Sequence, residues 1–346
     1  MATVSIVIPT YEREQLLREA LDSALAQTYT DFEILIGDNS TSDATEQMLA
    51  AYSDPRIHYH RNRPGLGAIG NWLDLVQRAT APLIGTLHDD DIWEADYLAT
   101  VVPPMVDDPT IAMTFNDYWV IDEHGTIQKD YTDRESARTH RNELPAGTVH
   151  YDLDQGLRLV AVWNAPQPCY AAVIRRDEIL ATDFIEDIHP LYDIWTSYNL
   201  VKRGCRLRYE PRRLTRYRVH SSAGTSDARF SEAEDNAFRH IIEDNRDRPV
   251  AEEIRRYWSS IRWYRGVGLM GEGAPARERS QMELLASADG LDGPMKLAAV
   301  AAGRSNLVWN GLRLVWEARH RAPRMDDLRR PGATSGAPGE VGVSGG

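Results

Sequence analysis

The chain has 346 residues, 42% of them hydrophobic and 26% charged. That is the composition of a soluble globular protein, with room for one large α/β domain and a smaller appendage. A net charge of −13 speaks against non-specific attraction to nucleic acid, whose phosphates it would repel. The two cysteines, Cys169 and Cys205, have neither metal-ligand nor redox spacing. No apolar run approaches the ~20 residues that span a bilayer, and the first residues lack a secretion signal. The expected setting is therefore cytoplasmic, with reduced thiols.

Residues 4–8 are a β-branched run ended by Pro9, the pattern of a buried first strand. Residues 14–27 place Leu16, Leu17, Ala20, Leu21, Ala24 and Leu25 at helical spacing. A second strand at 32–36 stops at Gly37-Asp38-Asn39-Ser40, and a helix follows at 44–52. An alternating strand covers 57–60, and the loop 61–70, with its Pro and Gly residues, leads to a helix at 71–79. A strand at 83–87 then runs directly into Asp89-Asp90-Asp91. Repeated alternation of strand and helix predicts a parallel sheet with helices on both faces.

Further along, strands are expected at 112–116 and 170–174, and the highly charged stretch 122–143 reads as a surface excursion or mobile loop. A short helix begins at 177 and another covers 191–201. Two short strands, 206–210 and 214–219, end at His220-Ser221-Ser222-Ala223-Gly224. From about residue 226 the chain turns charged and helical in pattern, with helices at 230–245 and 249–270. Residues 295–319 set Arg304, Arg313 and Arg319 among apolar positions. Such a helix suits packing on the preceding domain or lying on an anionic membrane surface. The end of the chain is rich in Gly, Pro, Ser and Ala and predicts a disordered tail.

The acidic triplet carries the first chemical signal. Adjacent carboxylates repel, and keeping them together is costly without a cation or surrounding water. At the exit of a buried strand a hard divalent metal that also holds phosphate oxygens answers that need; a solvated turn capping the next helix is the plainer alternative. In parallel sheets ligands bind beyond the carboxyl ends of the strands. Pro9-Thr10-Tyr11, Asp38-Asn39 and residues 88–91 all lie there, so three strand ends can converge on one crevice.

Taken together, these residues resemble the GT-A fold glycosyltransferases of family 2, inverting enzymes that use nucleotide-sugar donors. The resemblance rests on Ser5-Ile6-Val7-Ile8-Pro9-Thr10-Tyr11-Glu12-Arg13, on Ala26-Gln27-Thr28-Tyr29-Thr30-Asp31-Phe32-Glu33-Ile34 and on Asp38-Asn39-Ser40-Thr41-Ser42-Asp43. It continues through Gly70-Asn71-Trp72 to Leu87-His88-Asp89-Asp90-Asp91-Ile92-Trp93. The chain departs from the family at Glu12, where Asn is common, at Asn39, where a second Asp is usual, and at His88, where the first acid of the DXD motif falls. The resemblance implies an α/β GT-A fold: a Rossmann-like, mostly parallel central sheet with helices on both faces. The catalytic domain would span 1–225, with 1–120 binding the nucleotide-sugar and 121–225 facing the acceptor. A C-terminal helical region at 226–325 and a disordered tail at 326–346 would follow.

Carried over residue by residue, the resemblance implies a base pocket lined by Pro9, Thr10 and Tyr11, with Asp38 accepting from a base imide N–H. Asn71 and Asp89 would sit on the donor side, and Asp90 would ligate Mn²⁺ or Mg²⁺. His220 would complete the metal shell or meet the diphosphate, and Arg218 would neutralise phosphate charge. Asp91 is expected to cap the next segment and His88 to act as a structural donor. The general base is expected at Asp193, with Asp187 and Glu186 as competitors under a shifted register. The implied reaction moves a sugar from a UDP- or dTDP-linked donor to a hydroxyl of a carbohydrate, lipid-linked or small-molecule acceptor, in polysaccharide, glycolipid or natural-product assembly. No nucleic acid is involved, and the basic C-terminal helix could touch the inner face of the membrane. Two rivals remain: a nucleotidyltransferase of sugar phosphates, and an inactive sugar-binding protein of the same fold. The first should carry a Gly-rich, basic phosphate loop where this chain has Pro9-Thr10-Tyr11-Glu12.

Overall fold

The computed structural model describes residues 2–149, 151–220, 228–270, 272 and 274–319. Its first part alternates as the sequence predicts: β1 (Val4–Thr10), α1 (Glu14–Leu25), β2 (Phe32–Asp38), α2 (Ala44–Leu49), β3 (Ile57–Arg61), α3 (Gly67–Arg78) and β4 (Leu83–Thr86). β1 lies between β2 and β4, β3 flanks β2, and all these pairings are parallel. Side chains of a strand alternate between faces, and β1 uses both. Val4, Ile6 and Ile8 pack with Leu17, Ala20, Leu21 and Ala24 of α1. Val7 joins Leu35 of β2 and Trp72, Leu75 and Val76 of α3 on the other face. Burial of each such side chain contributes roughly 1.5–3 kcal/mol, so the first 80 residues are sandwiched from both sides.

Beyond the acidic turn come β5 (Ile92–Trp93), α4 (Tyr97–Val101), α5 (Pro103–Asp107), β6 (Ile111–Ile121), α6 (Lys129–Arg138), β7 (Gly147–Val149) and α7 (Leu153–Ala161). β8 (Ala172–Arg175), α8 (Arg176–Leu180), α9 (Asp193–Lys202) and β9 (Arg206–Arg218) complete the sheet domain. The strand order is β3-β2-β1-β4-β8-β6-β9-β5, with β7 on β9. β8 runs antiparallel to both β4 and β6, while β6 and β9 are parallel. The sheet is thus parallel in its first half and mixed beyond it.

Two expectations are corrected here. The two short strands after residue 205 are one, β9, whose register against β6 shifts between Glu210 and Arg213. Pro211 has no N–H to give the ladder, so the strand bulges at Glu210-Pro211-Arg212 and then resumes. The charged stretch 122–143 is not a loop: it holds α6 and a 3₁₀ turn at Arg141–Glu143. α6 turns a polar face inward. Thr132 Oγ1 accepts from the Val120 N–H (2.9 Å), and Ser136 Oγ donates to Asp117 Oδ2 (3.1 Å). Arg141 is fully buried, donates from Nε to Asp117 Oδ1 (2.8 Å) and lies over the Tyr118 ring (4.1 Å). Arg213 donates to the second oxygen of Asp117 (3.1 Å).

The helical region comprises α10 (Ala228–Asp244), α11 (Val250–Met270), α12 (Arg277–Ser287), α13 (Gly293–Arg304) and α14 (Asn306–Arg319). Val250, Ile254 and Trp258 of α11 enter the same core as Leu157 and Val160 of α7, and Arg158 pairs with Glu253 across that contact (2.6 Å). The expected basic helix at 295–319 is two helices, broken at Ser305. α13 packs through Ala299 and Ala302, and α14 through Trp309, whose Nε1 donates to Ser280 Oγ (2.7 Å). Leu297 and Leu307 stay exposed. Among the described residues no helix is long and apolar enough to cross a membrane. The expected tail at 326–346 and the segment 221–224 lie outside the described residues.

Asp117 is the counter-charge for a guanidinium that has no access to water. Asp117→Asn should therefore lower stability by about 3–5 kcal/mol, the cost of stranding a buried charge. Urea unfolding followed by circular dichroism measures it. A loss below about 1 kcal/mol would mean that Arg141 finds another partner.

Candidate active site

β4 delivers the chain to the acidic turn beside the end of β1. The Leu87 N–H donates to the Val7 carbonyl (3.0 Å), and the Asp91 N–H closes the turn on His88 (3.2 Å). Each carboxylate is then met by a group from elsewhere. Thr10 Oγ1 donates to Asp89 Oδ2 (2.7 Å), and Arg13 spans Asp89 (3.2 Å) and Asp90 (2.7 Å). His220 Nε2 lies 2.9 Å from Asp90 Oδ2. The Arg218 N–H donates to Asp91 Oδ1, and its Nε donates to the Asp90 carbonyl, both at 2.9 Å. Asp89 and Asp91 are buried. Burial, reinforced by the charge of Asp90, pushes Asp89 up to about 6 and Asp91 well above the usual carboxylate range. Burial acts on Asp90 in the same direction, but the His220 hydrogen bond and the charges of His88 and Arg13 outweigh it and hold Asp90 low.

The residues fit a divalent cation. One ligand atom from each of His88, Asp90 and Asp91 lies within 4.8 Å of the others. Asp91 Oδ2 is buried without any hydrogen-bond partner, a cost that a bound cation would remove. Carboxylate oxygens with an imidazole nitrogen form a donor set suited to Mn²⁺, and to Mg²⁺ through the oxygens. One expectation is revised: Asp91 accepts from the Arg218 N–H of β9 rather than capping the segment that follows it. His88 bonds Tyr192, as a structural partner at the strand end does, and also lies within reach of the acidic cluster.

Asp193 opens α9. Its Oδ1 accepts from the Ile194 N–H (2.7 Å), Cys169 Sγ lies 3.8 Å from its Oδ2, and burial raises its carboxyl above the usual value. Its neighbour Tyr192 ties the helix start to the acidic turn: the phenol oxygen meets His88 Nε2 at 2.5 Å. The Tyr192 ring stacks on Trp72 (centroids 4.3 Å apart), and Trp72 Nε1 donates to Thr86 Oγ1 at the end of β4 (3.0 Å). The competitors lie elsewhere. Asp187 is exposed and pairs with His240 (2.9 Å), and Glu186 is exposed on the 3₁₀ turn Glu186–Ile188.

Three residues expected to meet the donor are turned into the protein. Asp38 has no exposed surface, and its oxygens accept from the Ser40 N–H (2.8 Å) and the Tyr59 hydroxyl (2.9 Å). Asn71 is buried, donating to the Gly37 carbonyl (2.8 Å) and accepting from Asn62 (2.9 Å). A Cβ at Gly37 would come within 2.2 Å of that Asn71 oxygen, so glycine is required there. Arg218 is buried with Glu19 (2.6 Å) and the carbonyls of Asp90 and Glu123 as partners. Tyr11, by contrast, is 59% exposed at the crevice mouth, above buried Thr10 and half-buried Pro9. Sequence reasoning missed Arg13, Tyr192 and Cys169. An arginine three residues past a strand end and a tyrosine beside an acid were the only signals for the first two.

Residues 5–157 match the family model described as glycosyl transferase family 2. The chain is 31% identical over 126 residues to the E. coli UDP-Glc:alpha-D-GlcNAc-diphosphoundecaprenol beta-1,3-glucosyltransferase WfgD, covering 36% of this chain and 49% of the relative. It is 27% identical over 135 residues to the Campylobacter jejuni GalNAc(5)-diNAcBac-PP-undecaprenol beta-1,3-glucosyltransferase, covering 38% of this chain and 43% of that one. It thus spans about half the length of these relatives. Among solved structures, S. aureus TarS 1-349 in complex with UDP-GlcNAc superposes with a TM-score of 0.61 at 15% identity, over 92% of this chain and 91% of the other. The Pyrobaculum calidifontis mannosyltransferase PcManGT, in complex with GDP-Man and Mn2+, gives 0.51 at 16% identity, over 91% and 85%. At these identities the superpositions establish the GT-A fold.

The raised value of Asp89 has a thermodynamic sign. A carboxyl that holds its proton more tightly when folded contributes stability below about pH 4, and that contribution is lost as pH rises through about 6. The metal-free protein should lose about 3 kcal/mol from this group over that window. The loss should be absent in Asp89→Asn. Urea midpoints of both proteins at pH 4 and pH 7 measure it, and identical pH slopes would refute it.

Proposed function

We propose that this chain, which carries a glycosyl transferase family 2 domain on a GT-A fold, moves a sugar with inversion from a nucleotide-linked donor to a hydroxyl acceptor. The donor is UDP- or dTDP-linked and the acceptor is lipid-linked or another carbohydrate. One observation carries the reading: Tyr192 and His88 join the helix that begins at Asp193 to a turn of three carboxylates, two held by Thr10, Arg13 and His220 and the third by the Arg218 N–H. A candidate base and a candidate cation site are thereby fixed on one rigid frame. Support comes also from the two relatives, whose names specify undecaprenol diphosphate-linked acceptors, and from the neighbours that hold UDP-GlcNAc and GDP-Man.

In this reading Tyr11 offers its ring to the base at the crevice mouth, with Thr10 and Pro9 beneath it. His88, Asp90, Asp91 and His220 would hold Mn²⁺ or Mg²⁺, which when bound stabilises the charge growing on the departing diphosphate. Arg13 keeps Asp89 and Asp90 together while no donor is bound. Asp193 accepts the proton of the acceptor hydroxyl as its oxygen bonds to the anomeric carbon, and the bond to the diphosphate breaks on the opposite face. The raised value of Asp193 makes it a stronger base once ionised, so transfer should fall on acidification through a midpoint above the usual carboxylate range. The nucleotidyltransferase alternative is disfavoured, because the loop after β1 is not Gly-rich, its Arg13 pairs with Asp89 and Asp90, and its Glu12 is bound to Thr41 and Ser42.

A panel of nucleotide sugars assayed for hydrolysis and transfer with Mn²⁺, with and without chelator, tests the whole reading. One UDP- or dTDP-sugar should turn over, chelator should abolish turnover, and Asp90→Ala should lose it. Turnover of none, or indifference to Asp90→Ala, refutes the proposal. Asp193→Asn should cut kcat by about 10²–10⁴-fold with donor binding retained, whereas Asp187→Asn should not. Tyr192→Phe should lower kcat more than it raises the donor KM. Equal loss in Asp187→Asn would move the base.

A further inference from the structure

A cavity of about 610 Å³ lies apart from the acidic turn, and neither the carboxylates there nor Thr10, Tyr11, Asp193 or His220 line it. It opens over β6 and β9, against Trp119, Asn142, Leu144, Pro211, Arg212 and Arg213. Glu94 of its lining is three residues beyond Asp91, which places the cavity edge within about 10 Å of the acidic turn along the chain, while Arg213 lies five residues from Arg218 on β9. The volume is that of a ligand site, typically about 300–1,000 Å³.

The walls identify the ligand class. Arg141, Arg212 and Arg213 face Glu94, Asp96 and Asp117, three guanidiniums to three carboxylates. Every one of those carboxylates already has a partner. Glu94 pairs with Arg216 (2.7 Å), Asp96 with Arg212 (3.4 Å), and Asp117 with both Arg141 (2.8 Å) and Arg213 (3.1 Å). Arg141 and Asp117 are buried, so a charged ligand that broke their pair would strand one of them, which costs more than it gains. A neutral polyol does not. It needs the donors and acceptors that paired ions and the exposed Asn142 amide still offer. It also has apolar C–H faces to set against Trp119, Leu144 and Pro211. Arg213 holds the Trp119 ring in place, with its guanidinium 4.5 Å from the ring centroid.

We propose that this cavity binds a neutral saccharide, the part of an acceptor remote from the reacting hydroxyl. Its place in the reaction rests on the glycosyltransferase reading, but binding itself does not. The test is saturation-transfer NMR and calorimetry on the full chain with maltotriose, cellotriose and chitotriose, with inorganic pyrophosphate as the anionic arm. At least one trisaccharide should bind. Asn142→Ala, an exposed position, and Trp119→Leu, which keeps an apolar side chain, should each weaken it by about tenfold or more, and Asp90→Ala should leave it unchanged. Absence of trisaccharide binding, binding indifferent to both variants, or pyrophosphate binding with the same Asn142 dependence each overturns the site. Nucleotide-sugar binding on the same sample separates the two failures. Donor binding without trisaccharide binding defeats the cavity alone, and loss of both defeats the functional reading as well.

Discussion

Three consecutive carboxylates at the end of a buried strand are the constraint the rest of this molecule answers. Like charges this close cannot all ionise in a place water hardly reaches. The protein brings Arg13 from the loop after β1, and His220 and the Arg218 backbone from the end of β9. Even so, two of the three carboxyls retain their protons to unusually high pH, and one oxygen of Asp91 has no partner. A cation bound there would relieve that cost, which is why the residues fit one.

Those contacts explain why the second half of the sheet takes its shape. Arg218 and His220 reach the turn because β9 runs in parallel beside β6 and continues past its own bulge at Pro211. Tyr192 reaches His88 because α9 packs its start against Trp72, which is itself fixed to β4 through Thr86. Helix α11 braces α7 from outside through Val250, Ile254 and Trp258. The helical region is therefore continuous with the core that holds α7 and α9.

Legibility in the sequence followed the strength of apolar periodicity. β1, α1, β2 and β4 were readable because their buried positions repeat every second or every third and fourth residue. α6 was not, since the face it buries is Thr132, Ser136 and the Asp117–Arg141 pair, which looks like solvent-exposed sequence until the partners are known. β9 read as two strands because a proline interrupts one ladder without ending it. Position along the chain likewise located Asp38, Asn71 and Arg218 at the crevice without revealing which way they point. In the fold all three are directed into the protein. Spacing specifies which residues gather at a strand end; side-chain direction depends on partners that are distant in sequence.

The three departures from the family pattern share one physical consequence. Glu12, held at φ 52°, accepts from the hydroxyls of Thr41 (2.6 Å) and Ser42 (2.7 Å), and these bonds lower its carboxyl to about 2. Asn39 accepts from Asn62 (3.0 Å) and the Leu66 N–H (3.1 Å) and donates to the Gly67 carbonyl (2.9 Å). His88 meets Tyr192. Each ties together two segments that are distant in sequence. Glu12 joins the loop after β1 to that after β2, Asn39 joins the latter to the start of α3, and His88 joins the acidic turn to α9. Loops clamped this way are preorganised, so a ligand that binds among them would leave less ordering to be done.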